Sequence, residues 1–188
     1  KEKARVLKEG CFLVEILPAE NENNYEYLYQ IKQYAKEAGF IYYYKVPWKK
    51  GTFVSNTGRK AKNTQDIMIF SKGKARNMRY DKKKTDITGE KHYMSGCNGM
   101  LPTMFDVQPV ARKNKIHQSE LPVELCEKIL EYVTYEGEIV LDSFAGSGAV
   151  GVAALNKKRS CILIEILKEN IEKIKTRFNS DLYQAALE

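Results

Sequence analysis

Apolar and polar positions along the chain alternate between two signatures. A continuous apolar run, Cys11-Phe12-Leu13-Val14 followed by Ile16-Leu17, reads as a buried strand. Before it, residues 5–10 read as the last turn of a helix closed by Gly10 as a C-cap. After it, Leu28, Ile31, Ala35 and Ala38 recur at helical spacing, with Asn23 or Asn24 available as an N-cap and Gly39 as the stop. Two β-rich runs, 40–48 and 66–71, are joined by a Gly/Asn/Lys loop too short for a crossover helix, which predicts an antiparallel pair at a sheet edge.

Periodicity is lost over 72–115, apart from an apolar island at Met100, Leu101, Pro102, Met104 and Phe105; such a stretch inside a domain is usually a functional loop region. Helical spacing returns at 122–132, where Pro122 suits a first turn. Runs at 138–141, 149–156, 161–166 and 168–178 then alternate strand, helix, strand, helix. Alternation of this kind predicts an α/β, doubly wound, Rossmann-like sheet, mostly parallel with an antiparallel edge pair. The expected organisation is one domain over 1–188 with 72–115 inserted.

Composition narrows the class. The 188 residues are 43% hydrophobic, too apolar for a disordered chain, and no apolar run reaches the ~18 residues a bilayer crossing requires. The first residues, KEKARVLKEG, carry no signal-peptide or transit-peptide pattern and do not begin with Met, so residues before Lys1 are expected. Cys11, Cys97, Cys126 and Cys161 form no CxxC pair, and only His92 and His117 could join them, which argues against zinc. Three of the four sit in apolar stretches, as free buried thiols do, so a reducing cytoplasm is the expected compartment. His92 reads as a loop residue, Tyr42 to Tyr44 as sheet residues, and Trp48, ending an aromatic strand, as core. No Ser/His/Asp or Cys/His set is present to support hydrolase chemistry.

Charge is unevenly spread. Residues 45–84 hold thirteen Lys or Arg against Asp66 and Asp81, a local excess of +11 in a chain of net charge +7, which leaves −4 elsewhere. A basic block on a slightly acidic body suits a polyanion, because each cation placed on a phosphate releases condensed counterions. A solvated, solubilising loop is the plainer alternative.

The most informative stretch is 138–151, where Ile139-Val140-Leu141-Asp142 runs into Ser143-Phe144-Ala145-Gly146-Ser147-Gly148 and then a helix. Glycines permit a tight turn and close approach of a ligand, and a helix N-terminus presents N–H groups. Glu165, seventeen residues beyond Gly148, ends the next strand, where a carboxylate can accept from both ribose hydroxyls. Gly146, Gly148 and Gly151 also satisfy G-x-G-x-x-G, the dinucleotide fingerprint, so NAD competes as ligand. Asp142 would repel a pyrophosphate, and the 37 residues after Gly151 are too few for a second mononucleotide half. S-adenosylmethionine, with a ribose, an ammonium group and no phosphate, suits both facts.

These segments carry a resemblance. Asp142 to Gly148, preceded by His117-Gln118-Ser119-Glu120-Leu121-Pro122-Val123-Glu124-Leu125, resembles the D-x-F-x-G-S-G turn and the H-x-x-E-K-P-x-E-L segment of DNA amino-methyltransferases, in the permuted branch whose cofactor half comes last. Likeness extends to 5–10, 48–50 and 69–74 and is weakest over 76–114. The resemblance implies S-adenosylmethionine as cofactor, held by His117, Ser119, Pro122, Asp142, Phe144, Ala145, Gly146, Ser147, Gly148 and Glu165. Asp142 would take the methionine end and Glu165 the ribose, and Gly148→Val would push a side chain into the cofactor's path. Leu121 stands where the family has Lys.

Double-stranded DNA would be the substrate, contacted by Lys49, Lys50, Arg59, Lys60, Lys62, Lys74, Arg76, Arg79, Lys82, Lys83 and Lys84, with target recognition in 72–115. Adenine N6 is the expected target ahead of cytosine N4. No membrane partner is implied; a homodimer is left open and a restriction partner unknown. The family's catalytic turn, with two adjacent prolines, is absent from the sequence, so no catalytic residue is assigned and the turn is expected just upstream of Lys1. A catalytically inactive DNA-binding or specificity component is the reading from another class, and an NAD-dependent oxidoreductase the third.

Overall fold

A computed structural model describes residues 1–51, 63–76, 101–117 and 119–185, the side chains as far as Asn179. These fall into two compact units, one built from 1–51, 63–76 and 101–108 and the other from 109–117 and 119–185.

The first unit comprises α1 (Glu2–Val6), β1 (Phe12–Pro18), α2 (Tyr25–Glu37), β2 (Phe40–Lys49), β3 (Thr64–Lys72) and the two-residue β4 (Phe105–Asp106). Its strands lie in the order β1-β3-β2-β4. β3 is antiparallel to both β1 and β2, and β4 is parallel to β2, so three of the four strands share one direction. The expected antiparallel pairing of β2 with β3 is present, but β3 is internal to the sheet instead of at an edge. Its composition explains the position: Ile67, Met68, Ile69 and Phe70 are all buried, the continuous apolar run of a strand covered on both faces.

Leu28, Phe40, Met68 and Phe70 form the core under α2, with Ile31, Ala35 and Ala38 packed against it, as the helical spacing predicts. Two local expectations differ. Asn24 precedes α2, yet its side chain serves the preceding loop: Oδ1 accepts the Asn21 N–H at 2.8 Å and Nδ2 donates to the Ala19 carbonyl at 3.0 Å. Gly10 does not close α1, which ends before Leu7; with φ of +77° it turns the chain into β1, donating to the Lys72 carbonyl and accepting from the Arg76 N–H. Trp48 is buried, as expected of a core residue, and its Nε1 donates to the Val107 carbonyl at 2.8 Å. That bond pins the returning 105–108 segment onto β2.

The second unit contains α3 (Val123–Val133), β5 (Ile139–Asp142), α4 (Ala149–Asn156), β6 (Ser160–Leu163) and α5 (Lys168–Ala185), with β5 and β6 parallel. Cys126 and Leu130 of α3 meet Ala149, Ala153 and Ala154 of α4, with Val140 and Cys161 of the strands packed on them. Small residues on α4 allow that close approach. Burial pushes the Cys126 thiol up to about 12, so it packs as a small hydrophobe. The buried Arg159 ties the ends of two helices, Nε donating to Thr134 Oγ1 at 3.1 Å and Nη2 to the Thr134 carbonyl at 2.9 Å, while Nη1 donates to the Lys157 carbonyl. Among the described residues no helix is long and apolar enough to cross a membrane, and no cluster of His, Cys, Asp and Glu could hold a metal ion.

Candidate functional site

The chain leaves β5 at Asp142, turns through 143–148 and enters α4, with Gly146 at φ of +51° and Gly148 at +76°. Both are left-handed conformations that a side chain strains, which is why the sequence places glycine there. Hydrogen bonds inside the protein hold the turn. Phe144 N–H donates to Asp142 Oδ1 at 3.0 Å, Ala145 N–H to the Ile164 carbonyl at 3.0 Å, Gly146 N–H to Glu165 Oε2 at 2.9 Å, and Gly148 N–H to the Ala145 carbonyl at 2.7 Å.

Glu165 lies two residues past the end of β6, not at its last position. Its other oxygen, Oε1, accepts the Leu167 N–H at 2.8 Å. Backbone bonds from Leu167 and Gly146, with the Asn170 side chain, hold its carboxyl below the ordinary carboxylate value. The group is therefore an anion fixed in place by several donors, its position and charge set by the protein itself. Two carboxylates, Asp142 and Glu165, thus brace the turn from within, leaving it electronegative. Phe144 projects from it, 81% exposed.

The upstream segment meets the turn. A Cβ added at Gly146 would lie 3.6 Å from His117 Nδ1, so the imidazole rests against the glycine. His117 Nδ1 accepts the Ser119 N–H at 3.2 Å. Gln118 lies outside the described residues, and Pro122 immediately precedes α3. Leu121, where the family has Lys, packs against the α3–α4 core.

Gly148 faces elsewhere. An added Cβ would meet Ile174 at 3.2 Å and Phe178 at 3.3 Å, both on α5, and one at Gly151 would meet Phe178 at 2.6 Å and Leu163 at 2.7 Å. These glycines let helices and strand pack closely, so the expectation that a Gly148 side chain would enter the ligand's path is corrected: it would enter α5.

Sequence reasoning missed three residues. Asn170 bonds Glu165, Arg177 Nη1 donates to Glu120 Oε1 at 2.7 Å and to the Ser147 carbonyl at 3.1 Å, and Glu120 Oε2 accepts the Ile116 N–H at 2.7 Å. Asn170, Ile174, Arg177 and Phe178 recur at helical spacing, so polar residues within the packing stripe of α5 were the available signal.

The basic positions separate. Lys49 pairs with Asp106 at 2.9 Å, and Lys50 Nζ lies 4.9 Å from the Trp48 ring, at one end of the first unit's sheet. Lys74 and Arg76 follow the opposite end of β3, beside Gly10, about 26 Å away by strand rise. Arg59, Lys60, Lys62, Arg79, Lys82, Lys83 and Lys84 lie outside the described residues, as do His92 and Cys97.

A family model described as DNA methylase, of the N6/N4 methyltransferase type, matches residues 1–176. The chain belongs to this DNA methylase family. It is 29% identical over 162 residues to the type II methyltransferase M.HpaI of Haemophilus parainfluenzae, a match covering 82% of this chain and 50% of that protein. Over 57 residues it is 42% identical to the type II methyltransferase M.BglI of Bacillus subtilis, covering 30% of this chain and 16% of that one. The chain thus matches at most half the length of these two relatives. The crystal structure of M1.HpyAVI in complex with SAM superposes with a TM-score of 0.68 and 26% identity, covering 93% of this chain and 77% of that one. The expected α/β, Rossmann-like methyltransferase fold is borne out.

Proposed function

We propose that this chain binds S-adenosylmethionine at the 142–148 turn and serves transfer of its methyl group to an exocyclic amino group of DNA, with adenine N6 the first target to test and cytosine N4 the second. One observation carries the choice of ligand: the N–H groups of Phe144, Ala145, Gly146 and Gly148 are all taken inside the protein, two of them by carboxylates. A pyrophosphate needs those donors and would face two anions. A ligand with cationic groups, a ribose and no phosphate meets favourable charge.

In this reading Asp142 attracts the methionine ammonium, and Glu165, already oriented by its backbone bonds, accepts from the ribose hydroxyls. Phe144 offers apolar surface to the adenine, and His117 and Ser119 border the turn beside Gly146, with Pro122 fixing where α3 starts. Ala145, Ser147 and Gly148 keep the turn's shape. The bound sulfonium supplies an activated methyl carbon, which needs no metal and no covalent enzyme intermediate. DNA is held through its phosphates by basic residues of the 45–84 segment, Lys49 and Lys50 first among the described ones. The base-binding turn with paired prolines has no counterpart in the sequence, so no residue of this chain is given the flipped base.

Calorimetric titration tests the reading. Saturable binding of S-adenosylmethionine with none of NAD is the expected result; tritiated-methyl incorporation into adenine-containing DNA is then expected of a protein that also carries the paired-proline turn. NAD binding more tightly would select the oxidoreductase, and DNA retardation with no cofactor binding the inactive component.

A further inference from the structure

Arg177 lies on α5, one position beyond the family-model match. Its guanidinium and the Glu120 carboxylate form an ion pair at 2.7 Å with side chains only 13% and 3% exposed. Arg177 Nη1 also holds the Ser147 carbonyl inside the glycine turn. Glu120 holds the Ile116 N–H through Oε2 and donates its own N–H to the His117 carbonyl at 3.1 Å. One buried pair therefore links α5, the turn and the 116–120 segment.

We infer that Arg177, through Glu120 and Ser147, is a positioning residue that sets the spacing between the His117 segment and the glycine turn, and so the shape of the cofactor site; this rests on the proposed S-adenosylmethionine reading. A carboxylate as enclosed as Glu120 cannot stay in place without its countercharge. Removing the guanidinium obliges it to turn toward water, releasing Ile116 and shifting His117 off Gly146, while Ser147 loses the donor fixing its carbonyl. Arg177 touches no reacting atom in this scheme; it acts on affinity.

Calorimetry with S-adenosylmethionine on wild type, Arg177→Met, Arg177→Lys, Glu120→Gln and Leu130→Ala tests this, each variant first shown to melt cooperatively. Arg177→Met should weaken binding about tenfold or more, Arg177→Lys should recover a large part of that, and Glu120→Gln should add little in the Arg177→Met background. Leu130→Ala destabilises the same unit from its core and should bind within about twofold of wild type. Arg177→Met binding like wild type, or Leu130→Ala losing as much affinity, overturns the inference. If Arg177→Met does not fold, Glu120→Gln with unchanged affinity overturns the inference, and a loss of affinity in Glu120→Gln supports it. Wild type failing to bind removes the cofactor reading itself, a result distinct from equal binding by wild type and variant.

Discussion

The glycine turn and the basic segment stand out equally in the sequence, yet they behave oppositely in space. Residues 142–148 stay together because two left-handed glycines fold the chain back within one turn, and Asp142 and Glu165 bond its amides. The described basic residues lie at and beyond the ends of extended strands, which carry the chain about 3.3 Å further per residue, so Lys49 and Lys74 finish at opposite ends. Adjacency in sequence predicts a site where the backbone is compact and fails where it is extended.

The sharpest way to break the compact side is Gly151→Val. Its side chain would overlap Phe178 and Leu163, and overpacking there should cost about 3 kcal/mol, visible as a lower midpoint in denaturant melts. A neutral result would mean that α5 does not pack on α4 as described. Gly148→Ala sits lower on the same scale. With φ of +76° and Ile174 at 3.2 Å from the added Cβ, it should cost about 1–2 kcal/mol of stability. Its folded fraction should still bind S-adenosylmethionine, because the methyl points at α5; loss of binding in a fully folded sample would restore the view that Gly148 faces the ligand.

The carboxylates of the turn give a pH test. Glu165 has a folded-state pKa held below its unfolded value by the Leu167 and Gly146 N–H groups, so its stabilisation is present above the ordinary carboxylate range and is lost as pH falls through the lowered value. Thermal melts of wild type and Glu165→Gln should differ at pH 7 and converge once the pH drops below that lowered value. Curves that stay parallel throughout would show that the carboxylate charge contributes nothing to the turn. At neutral pH, Glu165→Ala should also weaken S-adenosylmethionine binding about tenfold in calorimetry, through loss of ribose bonds and of the Gly146 anchor.

Legibility followed the same line. Local rules found the α2 face of Leu28, Ile31 and Ala35, the burial of Trp48, the start of α3 after Pro122 and the turn itself, because each depends on residues within a few positions. Position of β3 between β1 and β2 was not legible, since pairing of distant strands leaves no local trace beyond an unbroken apolar run. Glu120 stands out in sequence only as one letter of a motif; its partner Arg177 is 57 positions away. Asn24 and Gly10 are the right residue types for a helix cap but take other partners, because a cap and a loop clasp require the same chemistry.

The smallest effect concerns the extended side, and it decides which end of the first unit's sheet works on DNA. In α/β sheets with a crossover helix, ligands lie beyond the carboxyl ends of the parallel strands. β1 and β2 share a direction and are joined through α2, so that end is the one carrying Lys49 and Lys50. Lys49→Gln with Lys50→Gln should therefore flatten the dependence of log DNA affinity on log salt by about one unit for each phosphate no longer neutralised, at most about two, whereas Lys74→Gln with Arg76→Gln should leave the slope unchanged. Lys49 already has Asp106 as a partner at 2.9 Å, so its hold on a phosphate competes with an existing ion pair and the change should fall nearer one unit than two. A change of slope from the second pair alone would place the duplex at the amino end of β1 and reverse the assignment. Equal changes from both pairs would mean that DNA runs along the whole sheet, and that the basic segment works as one surface despite the span of β3.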